Sequence, residues 1–247
     1  MDETSRQRDP APALSAPGPA ALLQAYGRLS GAELMEPFIT RVFPGRIALV
    51  SSFGAEAALL LALAAEIDRG LPVIFLDTGK LFGETLRYRD QLAARLGLTD
   101  VRSVQPDAAA LAERDPRGML WHADPDACCG LRKVEPLERA LAGFAAWISG
   151  RKRYQSAGRE ALPTLELAEG RVKLNPLAPW PRERVEAEFA RRALPRHPLE
   201  ADGFLSIGCM PCTDRVTPGQ DLRAGRWRGL DKSECGIHVP AGPVGDG

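Results

Sequence analysis

From Ala21 onward, short apolar runs alternate with longer helical stretches, and this alternation restricts the possible folds more than any other feature of the chain. Arg46 to Ser52 (R-I-A-L-V-S-S) and Pro72 to Leu76 (P-V-I-F-L) are apolar runs closed by polar or Gly-bearing turns, the pattern of buried strands. The Ala- and Leu-rich stretch Ala55 to Arg69 between them predicts a helix, and Glu84 to Leu96 predicts another. Val101 to Val104 and Phe144 to Ser149 are further strands, separated by a helix beginning near Lys133. Strands that alternate with helices pair in parallel and carry the helices on both faces, so the expected fold is an α/β domain.

The polar motifs fall where such a fold builds its sites. S-S-F-G-A-E (Ser51 to Glu56), L-D-T-G (Leu76 to Gly79) and S-G-R-K-R (Ser149 to Arg153) each lie at or just after the end of a strand. Ligands of open α/β sheets bind outside the carboxyl ends of the strands, so the three motifs are expected to face one crevice. A Ser/Gly turn opening a helix favours an anion through its free N–H groups, and the third motif adds the cations Arg151, Lys152 and Arg153. The chain as a whole is neutral, with 32 Lys and Arg against 32 Asp and Glu. No global field draws it to nucleic acid or an anionic membrane, and an anion site must be local.

Residues 1–20 are rich in Pro and Ala and are expected to form a disordered lead. Residues 21–212 are expected to form the α/β domain. N-P-L-A-P-W (Asn175 to Trp180) interrupts its pattern and Arg182 to Ala193 predicts a helix. Residues 213–247 show little periodicity and many Gly, Pro and Arg, and are expected to form a flexible tail.

Four of the five cysteines form two tight pairs, Cys128/Cys129 in A-C-C-G and Cys209/Cys212 in G-C-M-P-C-T, leaving Cys235 alone in E-C-G-I-H. An odd cysteine count, no apolar export segment at Met1 to Ala20 and no membrane-length apolar run argue against structural disulfides. Two pairs of thiolates can close a metal cage. Zinc and an iron–sulfur cluster both take four thiolates, and the spacing matches neither the common zinc pattern nor the ferredoxin runs.

In order along the chain, S-S-F-G-A-E, L-D-T-G-K-L-F-G-E-T, C-C-G-L-R-K-V-E-P-L, S-I-G-C-M-P-C-T, R-A-G-R-W and E-C-G-I-H resemble the cluster-bearing branch of the adenylylsulfate/phosphoadenylylsulfate reductase family, from about Ser51 to Val239. The resemblance implies a doubly wound, mostly parallel sheet related to the adenine nucleotide alpha hydrolases. It also implies a 4Fe-4S cluster on Cys128, Cys129, Cys209 and Cys212, with Cys235 as nucleophile. Lys133 matches a lysine between cluster and substrate, and Arg223 and Arg226 match arginines that engage the phosphosulfate. With Ser51, Ser52, Gly54, Asp77, Thr78, Gly79, Lys152 and Arg153 from the strand ends, these form the expected substrate site. Two stretches depart from the family pattern: Lys152-Arg153-Tyr154-Gln155 where R-R-D-Q or R-K-D-Q is usual, and His197-Pro198-Leu199-Glu200 where N-x-L-H is usual. The first loop also lacks the S-G-G-x-D-S pattern of ATP-cleaving relatives.

In a sulfate–phosphate anhydride the sulfur is electrophilic and AMP is a good leaving group, so a thiolate attacking sulfur yields an S-sulfonate on Cys235. With the other four cysteines committed to metal, this chain holds no resolving thiol. An external dithiol, thioredoxin or a glutaredoxin-like protein, is then expected to release sulfite. The family members specific for phosphoadenylylsulfate generally lack the cluster cysteines, so adenylylsulfate is the expected substrate, with phosphoadenylylsulfate or dual use as the alternative. A zinc-stabilised nucleotide-binding regulatory module is the alternative of another class. A cytoplasmic homo-oligomer that binds neither nucleic acid nor membrane completes the expectation.

Overall fold

The computed structural model of the chain describes residues 18–238 apart from 169, 218, 231 and 233. Most of the expected lead and the last nine residues of the expected tail lie outside the described residues. In chain order the elements are α1 (Pro19–Tyr26), α2 (Gly31–Pro37), β1 (Ile47–Val50), α3 (Ala57–Ile67), β2 (Val73–Leu76), α4 (Gly83–Leu96), β3 (Val101–Val104), α5 (Ala108–Arg114), α6 (Leu120–Ala123), α7 (Pro125–Cys129), α8 (Glu135–Leu141), β4 (Ala146–Ile148), β5 (Leu165–Ala168), β6 (Arg171–Leu174) and α9 (Arg182–Arg191). No helix among the described residues is long and apolar enough to cross a membrane.

The strands form one six-stranded sheet in the order β3-β2-β1-β4-β6-β5, parallel except for the edge pair β5–β6. Register follows the apolar runs: Leu49 lies beside Val73 and Ile148, all of them fully buried. From β1 the chain winds outward through β2 and β3, returns to β4 on the other side of β1, then passes to the edge strand β5 and turns back into β6 beside β4. The loops leaving β1 and β4 therefore diverge, and the crevice opens between them at the sheet's switch point. This is the expected doubly wound α/β fold. Helix α3 is apolar all round: Ala58 to Ala64 are all buried, and all but Ala62 belong to the main core. Such a helix belongs inside a domain, which is why its sequence carries little amphipathic signal.

Three elements differ from the sequence reading. The hairpin β5–β6 adds two strands where none is expected, turning at Gly170 with φ at 73°. Its inward positions carry charge: Lys173 is 3% exposed, lies 3.4 Å from a Glu166 carboxylate oxygen and sits over the Trp147 ring at 4.5 Å. The helix expected near Lys133 begins at Pro125 instead, where the Asp124 side chain accepts N–H bonds from Asp126 and Ala127 and Pro125 takes the first helical position. It runs through both cysteines into a π turn over Gly130–Val134 and continues as α8, so Lys133 rides on the widened turn. Helix α9 stops short of Ala193, which adopts a left-handed φ of 48°.

His197, from one of the departing stretches, is buried against Tyr88 at 4.9 Å and bonds Thr85 through Nε2 at 3.0 Å, while its Nδ1 accepts the Leu199 N–H. Burial lowers its pKa to about 4. Between pH 4 and 6.5 the unfolded chain therefore binds a proton that the folded chain refuses. Stability is fully present above about 6.5 and falls by up to about 3 kcal/mol as pH drops to 4. Urea titrations across this range should show the slope in the wild type and lose most of it in His197→Gln; an equal slope in both would remove His197 as its source.

Candidate active site

The loops after β1, β2 and β4 enclose a cavity of about 220 Å³ with the segments Leu205 to Cys209 and Leu222 to His238 as its other wall. The first loop is shaped by local strain. Phe53 takes a left-handed φ of 49° while fully buried edge-on against Phe75, and its N–H is held by the Ser51 hydroxyl at 3.1 Å. A bulky residue in that region costs about 1–3 kcal/mol and persists only where its surroundings hold it. The loop consequently turns Ser51, Ser52 and Gly54 into the cavity.

The stretch that departs from R-R-D-Q has a shared partner. Lys152, 2% exposed, pairs with Glu56 of the first loop at 2.9 Å; Tyr154 donates its hydroxyl to the same carboxylate, and Gln155 donates Nε2 at 2.8 Å. Burial opposes the charge on Glu56, but Lys152 and the three side-chain hydrogen bonds outweigh it and lower its pKa. Two of the cavity's charges are thus matched within its wall.

R-A-G-R-W builds the facing wall around an indole. Trp227 is 3% exposed, with Arg226 over its ring at 4.4 Å, Arg223 at 5.6 Å and Lys232 at 5.7 Å. Arg226 also donates Nε to the Cys212 carbonyl at 3.1 Å. Gly208 leaves room for this placement, since a Cβ there would stand 2.5 Å from the Arg226 guanidinium and move it. The described residues of the expected tail thus pack through Trp227 and Val216, both buried, and Cys235 comes to the cavity's edge. His238 lies flat on Trp147 at 6.0 Å, and burial together with Arg151, Lys173, Arg159 and Arg223 lowers its pKa well below the usual value.

Of the residues singled out in the sequence, Ser51, Ser52, Gly54, Thr78, Lys133, Lys152, Arg223, Arg226 and Cys235 line this cavity. Asp77, Gly79 and Arg153 do not: Asp77 accepts from Gln105, Gly79 turns beside Arg132, and Arg153 donates to the Leu162 carbonyl. Arg159, Gln155 and Glu234 line it without belonging to the expected substrate site.

Cys128, Cys129, Cys209 and Cys212 line a second, small cavity, and Lys133 and Cys209 belong to the walls of both. The loop after β2 fixes the C-x-x-C turn: Met210 N–H bonds the Lys80 carbonyl at 2.7 Å, and the Thr78 hydroxyl lies 3.2 Å from the Cys209 sulfur. Burial and the neighbouring Cys129 push the Cys128 thiol up to about 11, and burial likewise raises Cys129 and Cys212. Burial disfavours the charge on Lys133, yet Cys209, Cys235 and Cys129 outweigh it and raise its pKa. Arg132, tied to Asp115 at 2.6 Å, keeps a buried Nε–H without a partner among the described residues. Four soft donors, the three cations Lys80, Arg132 and Lys133, and an unspent N–H suit a thiolate-bound group. As placed, no three His, Cys, Asp or Glu side chains among the described residues are grouped to hold a metal ion.

Residues 46–215 match the phosphoadenosine phosphosulfate reductase domain. The adenosine 5'-phosphosulfate reductase of Mesorhizobium japonicum is 52% identical over 220 residues, 89% of this chain and 87% of its own. The phosphoadenosine 5'-phosphosulfate reductase of Gloeobacter violaceus is 41% identical over 204 residues, 81% and 85% of the two chains. Among solved structures, the phosphoadenylyl-sulfate reductase of Candida auris in its phosphate complex superposes with a TM-score of 0.66 at 27% identity, covering 80% of this chain and 95% of that one. With the matched span running from the first strand of a doubly wound sheet through the C-x-x-C turn, the chain belongs to the phosphoadenosine phosphosulfate reductase domain family and is an oxidoreductase.

Proposed function

We propose that the chain reduces adenylylsulfate to AMP and sulfite through an S-sulfonate on Cys235. The observation that carries this reading is the shared wall of the two cavities: four thiols line one, Cys235 and a ring of cations line the other, and Lys133 stands in both. Lys133 and Arg223 lie close enough to the Cys235 sulfur for its charge to act on theirs. The nucleophilic form of a cysteine carries a negative charge, which cations so placed offset. The names of the Mesorhizobium and similar relatives favour adenylylsulfate; the Gloeobacter relative keeps phosphoadenylylsulfate as the second reading.

The Cys235 thiolate attacks the anhydride sulfur, an S–S bond forms, the S–O bond to phosphate breaks, and AMP leaves with the electron pair. Arg223, Arg226 and Lys133 offset the charge that develops on the departing phosphate, and arginine's planar fork suits its oxygens. A thiolate of an external dithiol, thioredoxin by its chemistry, then displaces sulfite. Its second thiol resolves the mixed disulfide, returning Cys235 to thiol and leaving the partner oxidised by two electrons. Cys128, Cys129, Cys209 and Cys212 would hold a 4Fe-4S cluster, which when bound supplies a thiolate-ligated charge centre behind Lys133.

Wild-type protein given adenylylsulfate without reductant should accumulate a sulfonate on the peptide carrying Cys235, seen by mass, and reduced thioredoxin should discharge it as sulfite. An adduct on another cysteine, or none, overturns the assignment.

A further inference from the structure

Glu234 precedes the proposed nucleophile, and its carboxylate lies in a cradle of arginines. Arg159, 7% exposed, donates Nε and Nη2 to its two oxygens, the latter at 2.8 Å, and Arg223 donates Nη2 at 3.3 Å. The remaining nitrogen of Arg159, Nη1, donates to Gln155. Each nitrogen of Arg159 thus has a partner, and its Nε/Nη2 edge, the one that would read an oxyanion with two parallel bonds, is the edge holding Glu234. Among the described lining residues of the cavity, the cations are Lys133, Lys152, Arg151, Arg159, Arg223 and Arg226, while the carboxylates are Glu56 and Glu234. Glu56 is fixed within the wall by Lys152, Tyr154 and Gln155. Glu234 alone of the two belongs to the segment that bears Cys235.

The electrostatics agree with the geometry. Burial and the adjacent Arg159 lower Arg223 to about 10, the mark of cations crowded together. Burial works against the Glu234 carboxylate, but Arg159, Arg223 and Arg151 outweigh it and hold it ionised. On the N-terminal side of Glu234 the Lys232–Asp126 pair ends on a carboxylate whose side chain is 82% exposed and holds little, while on the C-terminal side Ile237 and His238 stay anchored on Trp147 and its neighbours, so the stretch around Cys235 is held between them by Glu234.

We propose that Glu234 is a positioning residue whose carboxylate stands in for the substrate's anionic group: it occupies the Arg159–Arg223 cradle in the closed chain and is displaced by the incoming oxyanion, so that substrate binding frees the segment bearing Cys235. The inference rests on the anionic nucleotide substrate proposed above. Two anions cannot share one edge of a guanidinium bidentately, so the exchange follows wherever the ligand's phosphate or sulfate reaches the Nε/Nη2 edge of Arg159. Coupling of this kind is reciprocal: whatever holds Glu234 in place weakens the anion, and the anion loosens Glu234.

AMP is the probe, and the full chain with its bound metal is the material. Glu234→Gln keeps the shape and removes the charge, and AMP should bind it about fivefold or more tightly than the wild type, the lower end of typical coupling. In the wild type, saturating AMP should speed alkylation of Cys235, measured on its peptide; in Glu234→Gln alkylation should be fast already and insensitive to AMP. In an Arg159→Gln background the Glu234 substitution should no longer tighten AMP, because the competition it relieves is gone. A merely structural role for Glu234 predicts weaker AMP binding in the variant. Equal or weaker binding, or an alkylation rate in the wild type that AMP leaves unchanged, overturns the proposal. A wild type that binds neither AMP nor adenylylsulfate removes the proposed substrate itself, whereas normal binding and sulfite formation without the fivefold gain remove only the role of Glu234.

Discussion

Cys235→Ser should fold, retain its metal and bind AMP as the wild type does, yet make sulfite at least about a thousandfold more slowly, since an unactivated hydroxyl is a far poorer nucleophile than a thiolate at neutral pH. The separation of effects follows from position. Cys235 is partly exposed at the rim of the larger cavity, while the four other thiols line the smaller one. Serine replaces one partly exposed sulfur, so little stability is at stake. Sulfite release measured with reduced thioredoxin, beside AMP binding by calorimetry, reads both halves. Sulfite at the normal rate would mean that the nucleophile lies elsewhere in the chain.

What the sequence disclosed, and what it hid, divides along physical lines. The strands β1, β2 and β4 are apolar runs because parallel strands are covered on both faces, and their burial is visible in composition alone. The motifs at their carboxyl ends were legible for the same reason: a polar turn after a buried strand has one place to go. The hairpin β5–β6 was not legible, because Glu166 and Lys173 satisfy each other inside, and a buried ion pair reads in sequence as a surface. The start of the helix before Lys133 was hidden by Gly130, which reads as a break but sits in a π turn.

The tail shows the same limit. Thr213 to His238 offers few apolar residues, yet Trp227 is buried because Arg223, Arg226 and Lys232 cover its ring in place of aliphatic neighbours. Arg159 and Glu234 lie 75 positions apart, and no local pattern links them. A charge pairing at that separation is fixed by the fold, so it becomes visible only when the tail is laid across the end of the sheet. Arg159 belongs to the stretch after S-G-R-K-R and carried no signal beyond being one more arginine.

The four remaining cysteines should respond to serine as a set. Any one substitution should lower bound iron by more than about tenfold, since losses in the outer shell of a metal site alone cost 10- to 100-fold in affinity. It should also lower Tm by about 10 °C, roughly 3–4 kcal/mol at this chain length. Without metal, burial and neighbouring thiols raise Cys128, Cys129 and Cys212 and favour their protonated forms, Cys128 being pushed up to about 11. A bound cation reverses that preference and the thiols release their protons, so metal-binding energy becomes folding energy and loading weakens as pH falls. Cys209→Ser should be the most damaging, because Cys209 lines both cavities and its sulfur contacts Thr78 at the end of β2, so its loss should impair AMP binding as well as iron. Cys212 is partly exposed, and its substitution should spare AMP binding. Iron and labile sulfide measured on anaerobic preparations, with visible absorption, separate a brown cluster protein from a colourless one holding zinc. Full iron content in all four variants, or zinc in its place in the wild type, would overturn the assignment of these thiols to an iron–sulfur cluster while leaving the Cys235 chemistry to stand on its own test.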